Sequence, residues 1–252
     1  MTTAKEIVIK PITSSAANIL VKKIHYSSKV VPNSQLHFGV FLNGKLEGAM
    51  QFGPSMDKRK TLGLVRETQW NGFLELNRMA FSDALPRNSE SRAIGVAIRL
   101  IKKHYPHIEW IISYSDATQC GDGIIYRASG FYLTGIKENK TILKMPDGSI
   151  VADKTLNNTN YALKGQSAGY WKKNGATPLV GFQLRYIYFI NKNAISRLCV
   201  DILPFAKIDQ LNARMYKGLK RVKEQESEHP SDLGGASPTH TLQNLEKLHY
   251  GS

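Results

Sequence analysis

The chain has 252 residues, 42% of them apolar, with a formal net charge of +14; it can build one large domain, or a medium domain with an annex, and should fold unaided. So basic a balance favours a polyanionic partner over a neutral metabolite, although a soluble basic protein without any polymer partner would carry the same charge. Two cysteines, Cys120 and Cys199, exclude a disulfide framework and a four-cysteine zinc site, and with no signal core and no window near the roughly 18 apolar residues of a membrane span, a cytoplasmic protein is expected.

In chain order, residues 6–12 predict a first strand. Residues 14–27 predict a Ser-capped helix with Ala17, Leu20, Val21 and Ile24 on its apolar face and His25 and Tyr26 at its end. Two alternating runs joined by Asn43-Gly44 predict a hairpin over 35–53. The basic segment 56–63 is expected to be a flexible loop. Residues 73–81, FLELNRMAF, predict a strand that sets Glu75, Asn77 and Arg78 on defined faces. A second Ser-capped helix is expected from about Ser89, with Ala93, Ile94, Ala97, Ile98 and Ile101 recurring at helical spacing until Pro106 stops it.

The run IEWIISYS, 108–115, is continuously apolar and predicts a central strand covered on both faces. A short helix closed by Gly130 follows, then a hairpin over 131–145. This order predicts an α/β or α+β fold: a mixed sheet flanked by helices, in a domain of residues 1–165. Residues 166–220 are expected to form an annex packed on that domain, with a polar, glycine-containing loop, the aromatic strand QLRYIYFI and a further strand in ISRLCVDILPFAKID. Residues 221–252, rich in Glu, Ser, Pro and Gly, are expected to be a disordered tail.

Chemistry concentrates in YSDATQCGDGIIYRASGF, residues 114–131. Asp116 stands where an interior strand runs out into a loop, the end of an α/β sheet at which ligands gather. Its carboxylate suits a general base, and it suits equally a cap of the following turn. Tyr126, four residues before the helix-closing glycine, faces the strand end or packs at the core's edge. Cys120 reads as a small, half-buried loop residue.

The segment Tyr126-Arg127-Ala128-Ser129-Gly130-Phe131 resembles the terminal motif of the GNAT acyltransferase fold, whose order of elements matches residues 1 to about 145. The resemblance implies a tyrosine near the donor's sulfur, able to protonate a leaving thiolate. The glycine-rich, phosphate-cradling loop usual before the long helix of that fold is replaced here by Arg87-Asn88-Ser89-Glu90-Ser91-Arg92. Arg87, Asn88, Ser89, Ser91 and Arg92 are the positions matching the cofactor-binding loop; Glu90 would repel phosphate, so a donor is held differently or is not an ordinary coenzyme A thioester.

A longer resemblance joins His25-Tyr26-Ser27, LELNRMAF, PRNSESRA, SDATQCGDGIIYRASGF, PLVGFQLRYIYFI and ILPFAKID, from about residue 20 to about 220. These strings resemble the Mom family of bacteriophage DNA-modification proteins. The resemblance implies a GNAT-like enzyme that converts adenine in phage DNA to its carbamoylmethyl derivative and so protects it from host restriction. The target amine lies in the base stack, so double-stranded DNA with a flipped adenine is the expected partner. For that chemistry Asp116 suits the base, Tyr126 a donor to the departing group or an oxyanion, and Arg78 a holder of negative charge, unless it only bridges to Glu75 or Asp83.

His25 and Tyr26 are the candidates for base stacking or for base and metal contacts. An iron ion is open, since one histidine gives no metal spacing. The donor is an acetyl-CoA-like thioester or an activated glycyl unit, between which the residues do not choose. Basic clusters at MDKRK, Arg99 with Lys102-Lys103-His104, YWKKN, and Tyr216 through Lys223 fit a DNA substrate. The aromatic strand QLRYIYFI would serve a homodimer or pack internally. The competing expectations are an ordinary N-acetyltransferase acting on a protein or small amine, and a non-catalytic DNA-binding protein.

Overall fold

The computed structural model describes residues 2–118, 121–158, 160–213, 215–216 and 219–220. Cys120, most of the basic run at 216–223 and the expected tail therefore lie outside the described residues. A single 3-10 turn, Ala4–Glu6, leads into β1 (Val8–Pro11), α1 (Ser14–Ile24), β2 (Leu36–Leu42) and β3 (Lys45–Gly53). The predicted hairpin turns at Asn43 and Gly44, both at positive φ as the tight turn requires. Helix α1 is capped by Thr13 rather than serine: the Thr13 side chain accepts from the Ala16 N–H.

The segment expected to be a flexible loop instead folds as α2 (Lys58–Leu62), because the Asp57 carboxylate accepts from the Lys60 N–H and nucleates the turn. Strand β4 (Phe73–Phe81) and helix α3 (Ser89–His104) follow, and all five of the apolar residues expected on α3 are buried. The cap residue of α3 is Asn88, at φ 69°, not a serine. Then come β5 (Trp110–Asp116), α4 (Ile124–Ala128) and β6 (Tyr132–Asn139).

From here the expected hairpin is corrected. Strand β6 pairs not with residues 142–144 but with a strand forty residues on. The intervening chain forms β7 (Ile142–Lys144), β8 (Ile150–Ala152), α5 (Asp153–Asn157), α6 (Asn160–Leu163), α7 (Ala168–Lys173) and β9 (Thr177–Pro178). Strands β8, β7 and β9 make a small sheet with a core of its own around Leu143, Met145, Leu156, Ala168 and Ala176. Chain then re-enters the main sheet as β10 (Gly181–Phe189).

The main sheet has seven strands in the order β1-β2-β3-β4-β5-β10-β6. The aromatic strand expected in an annex is thus wedged between β5 and β6, and a boundary at residue 165 would cut the sheet. The reason is burial on two faces: Leu184 and Tyr186 join the core under α3, while Ile187 and Phe189 join a second core with Trp110, Ile112 and Phe73. A strand apolar on both sides is an interior strand, which also removes it as a dimer surface. Residues 195–209, expected to hold another strand, instead run from a 3-10 turn (Lys192–Arg197) into the short helix α8 (Ala206–Gln210).

Candidate active site

The site begins with a split in the sheet. Strands β4 and β5 are parallel and pair over only three residues, Phe73↔Trp110, Leu74↔Ile111 and Glu75↔Ile112. Beyond Glu75, β4 stays with β3 and β5 stays with β10, so the two strands part. A bulge at Asn77, where Gln51 faces Arg78 and Phe52 already faces Leu76, turns β4 further aside. The opening is a cavity of about 710 Å³, within the range of small-molecule sites.

Five residues expected to act together do line this one cavity: His25, Tyr26, Arg78, Asp116 and Tyr126. Asp116 caps the following turn and also lines the cavity. Its Oδ1 accepts the Thr118 N–H at 3.0 Å, the turn-capping bond, and the residue still faces the cavity. Tyr126 is likewise both packed and cavity-lining. Its ring lies 5.5 Å from Phe131 and 5.2 Å from Tyr186, centroid to centroid, so it has little freedom.

The part of the intervening loop from Gly121 onward is tied down from three sides. Ser115 Oγ donates to the Gly121 carbonyl at 2.7 Å, the Tyr186 hydroxyl donates to the Asp122 carbonyl at 2.5 Å, and Asp122 pairs with Arg127 at 2.9 Å. Gly123, at φ 74°, permits the close approach: a β-carbon there would sit 2.6 Å from Tyr186 and 3.0 Å from Tyr126.

Arg78 is held by carbonyls, not by the carboxylates of Glu75 or Asp83. Its Nε donates to the Lys29 carbonyl at 2.9 Å and a terminal nitrogen to the Asn77 carbonyl at 2.6 Å. This fixes a cation inside the cavity. His25 stands beside Tyr26 with ring centroids 4.4 Å apart. Burial, helped by the Arg78 cation, lowers the His25 pKa to about 4, so the ring is neutral at pH 7.

Sequence reasoning undervalued several cavity residues. Glu75 and Tyr114 line it, and burial raises the pKa of each. Their signal was position: a charged side chain inside an apolar strand, and a tyrosine two residues before Asp116 and so on its face. Lys154 carries no signal in the sequence, lying between the expected hairpin over 131–145 and the polar loop that follows. Its ammonium reaches Met56 Sδ at 3.2 Å across the cavity mouth, and Lys29 bonds the hydroxyl of neighbouring Thr155.

The residues expected to hold a cofactor lie at the start of α3 and are not among those lining the cavity. Ser89 is fully buried with its hydroxyl donated to the Pro86 carbonyl at 2.6 Å, Ser91 Oγ donates to the Asn88 carbonyl at 3.2 Å, and Arg92 reaches the Lys5 carbonyl at 3.3 Å. Arg87 and Asn88 complete this turn. Among the described residues no three His, Cys, Asp or Glu side chains cluster to hold a metal. Nor is any helix among them long and apolar enough to cross a membrane.

A mixed sheet parted between two parallel strands lines its gap with a carboxylate, a phenol and a guanidinium, the layout of a transferase cleft. The Mom protein family matches residues 6–207, and the chain belongs to it. A relative, the methylcarbamoylase Mom of Escherichia phage Mu, is 38% identical over 200 residues, spanning 77% of this chain and 80% of that protein. Among solved structures, an N-acyl amino acid synthase from uncultured soil microbes shares 14% identity at a TM-score of 0.42, over 77% of this chain and 95% of that one. An IAA acetyltransferase from Bacillus cereus shares 11% at 0.42, over 73% and 99%. So loose an overlay assigns no residue a role.

Proposed function

We propose that this enzyme converts the exocyclic amine of adenine in phage DNA to its carbamoylmethyl derivative, acting in the host cytoplasm and shielding that DNA from restriction. One observation carries the reading: Asp116, Tyr126, Arg78, His25 and Tyr26 share a cavity in a chain whose relative is a methylcarbamoylase.

The amine's lone pair is delocalised into the purine ring, so the base must be extruded, oriented and relieved of a proton. Tyr26, half exposed beside the His25 ring, stacks on the entering base. Asp116 takes the N6 proton as the nitrogen attacks the donor's acyl carbon and the bond to the leaving group breaks; a glycyl donor then leaves an N6-glycyl adduct, isomeric with the carbamoylmethyl product and rearranged to it, whereas acetyl transfer leaves an acetamide and needs a nitrogen source and an oxidant besides. Tyr126 gives its proton to that leaving group, and Arg78 balances the negative charge that develops.

The donor is an acetyl-CoA-like thioester or an activated glycyl unit. Lys29, Lys137 and Lys154, all exposed around the mouth, suit the phosphates on either side of an extruded nucleotide.

The test is to co-express the chain with a plasmid, digest the DNA to nucleosides and weigh adenine. A mass gain matching carbamoylmethylation is expected. An unchanged profile with soluble protein would return the chain to the two competing classes, an ordinary N-acetyltransferase or a non-catalytic DNA-binding protein.

A further inference from the structure

Glu75 has no part in the steps above, yet it occupies the vertex of the split. It is the last β4 residue paired with β5 and it lines the cavity. Its carboxyl has the Ser55 and Asn77 side chains as polar neighbours, which favour its ionised form, while burial disfavours it. Ser55 in turn accepts from Thr61 Oγ1 at 3.0 Å, and Ser34 Oγ donates to Asn77 Oδ1 at 3.1 Å. Ser55, Thr61 and Asn77 are all buried. This is a supported polar site, not a solvated surface carboxylate.

An extruded base leaves its pairing edge unsatisfied, and an enzyme that accepts it supplies partners for that edge. Adenine presents a donor, the N6 amine, beside an acceptor, N1. We infer that Glu75 reads this edge: its protonated carboxyl donates to N1 and accepts one N6–H, leaving the second N6–H to Asp116. The inference rests on the reading of the cavity as an adenine site.

The proton decides which base fits. An ionised carboxylate accepts twice and pairs best with two adjacent N–H donors, the edge of guanine; the neutral acid matches adenine. Around Glu75 stand Arg78 on β4 and Tyr114 on β5, with Arg185 and Asp57 reaching it only through Tyr114. Burial raises the Glu75 pKa against the opposing pull of Ser55, Asn77 and Arg78, and a purine that displaces water from the cavity raises it further.

The experiment measures equilibrium binding of the full chain to short duplexes carrying one target adenine opposite an abasic site, with either adenine or 1-deazaadenine at the target. The second base keeps N6 and lacks N1. Wild type is expected to prefer adenine by about tenfold or more, the usual worth of a paired base contact. Glu75→Gln should keep that preference, since an amide also donates and accepts. Glu75→Ala should bind both duplexes equally while keeping a cooperative thermal transition.

A Glu75→Ala protein that still prefers adenine overturns the inference. So does a wild type that modifies plasmid adenine yet shows no preference between the two duplexes. Absence of any plasmid modification by wild type overturns the adenine reading itself, and this inference with it.

Discussion

The backbone N–H of Ser27 donates to Nδ1 of His25 at 3.1 Å, and the Ser27 hydroxyl lies 2.9 Å from the same nitrogen. A ring nitrogen that accepts an amide N–H is unprotonated, so the neutral imidazole carries its proton on Nε2 and serves as a donor. Nitrogen-15 shifts should show this single tautomer from pH 5 to 9, with protonation only near pH 4. In the unfolded chain the ring binds a proton below about 6.5, whereas the folded ring stays neutral down to about 4. Between those values the unfolded state holds more protons, so stability falls as pH falls, by on the order of 3 kcal/mol from this group. Denaturant midpoints of His25→Gln should lack that part of the acid slope. An unchanged slope would place His25 in contact with water.

Asp116→Asn keeps an oxygen for the Thr118 N–H and removes the carboxylate proposed as the base. Modification in the plasmid assay should fall by a factor of about 100 or more, with a stability change of no more than about 1 kcal/mol. Tyr126→Phe should behave the same way, since the ring contacts to Phe131 and Tyr186 survive. Normal modification by the soluble fraction of either variant would make that residue structural.

The contacts of Lys154 with Met56 and of Lys29 with Thr155 bring the insertion against the loops across the cavity mouth. If both lysines meet phosphate, Lys29→Ala with Lys154→Ala should reduce the slope of log affinity against log salt by about 2. Titrations of unmodified duplex between low and moderate salt give the slope. Equal slopes would move the phosphate track elsewhere.

Gly123→Ala meets two penalties. The positive φ costs about 1–2 kcal/mol for a residue with a β-carbon, and the added carbon collides with Tyr186 and Tyr126, which adds about 1–3 kcal/mol. Thermal unfolding should register the sum, and the displaced phenol should cost activity in the remaining folded protein. A fully active, equally stable variant would show that the loop relaxes without moving Tyr126.

Much of this fold was legible locally. The faces of α1 and α3, the Asn43-Gly44 turn and the interior character of β5 all follow from spacing within a dozen residues. The caps were one residue off because Thr13 and Asn88 stand just before runs that already begin with serine. The larger errors share another cause. Alternation tells which way a strand's side chains point but not which strand it will join, so β6 was paired with its neighbour when its partner is β10.

By itself the sequence determined the charge, the local elements, the Mom family motifs and the residues worth testing, because each depends on side-chain chemistry and short-range periodicity. Only the tertiary structure decided that β4 and β5 part after Glu75, that β10 fills the sheet beyond them, and that Lys154 comes to the mouth of the resulting gap. These depend on pairings between residues far apart in the chain, chosen by which apolar faces must be covered at once, and no local pattern encodes that choice.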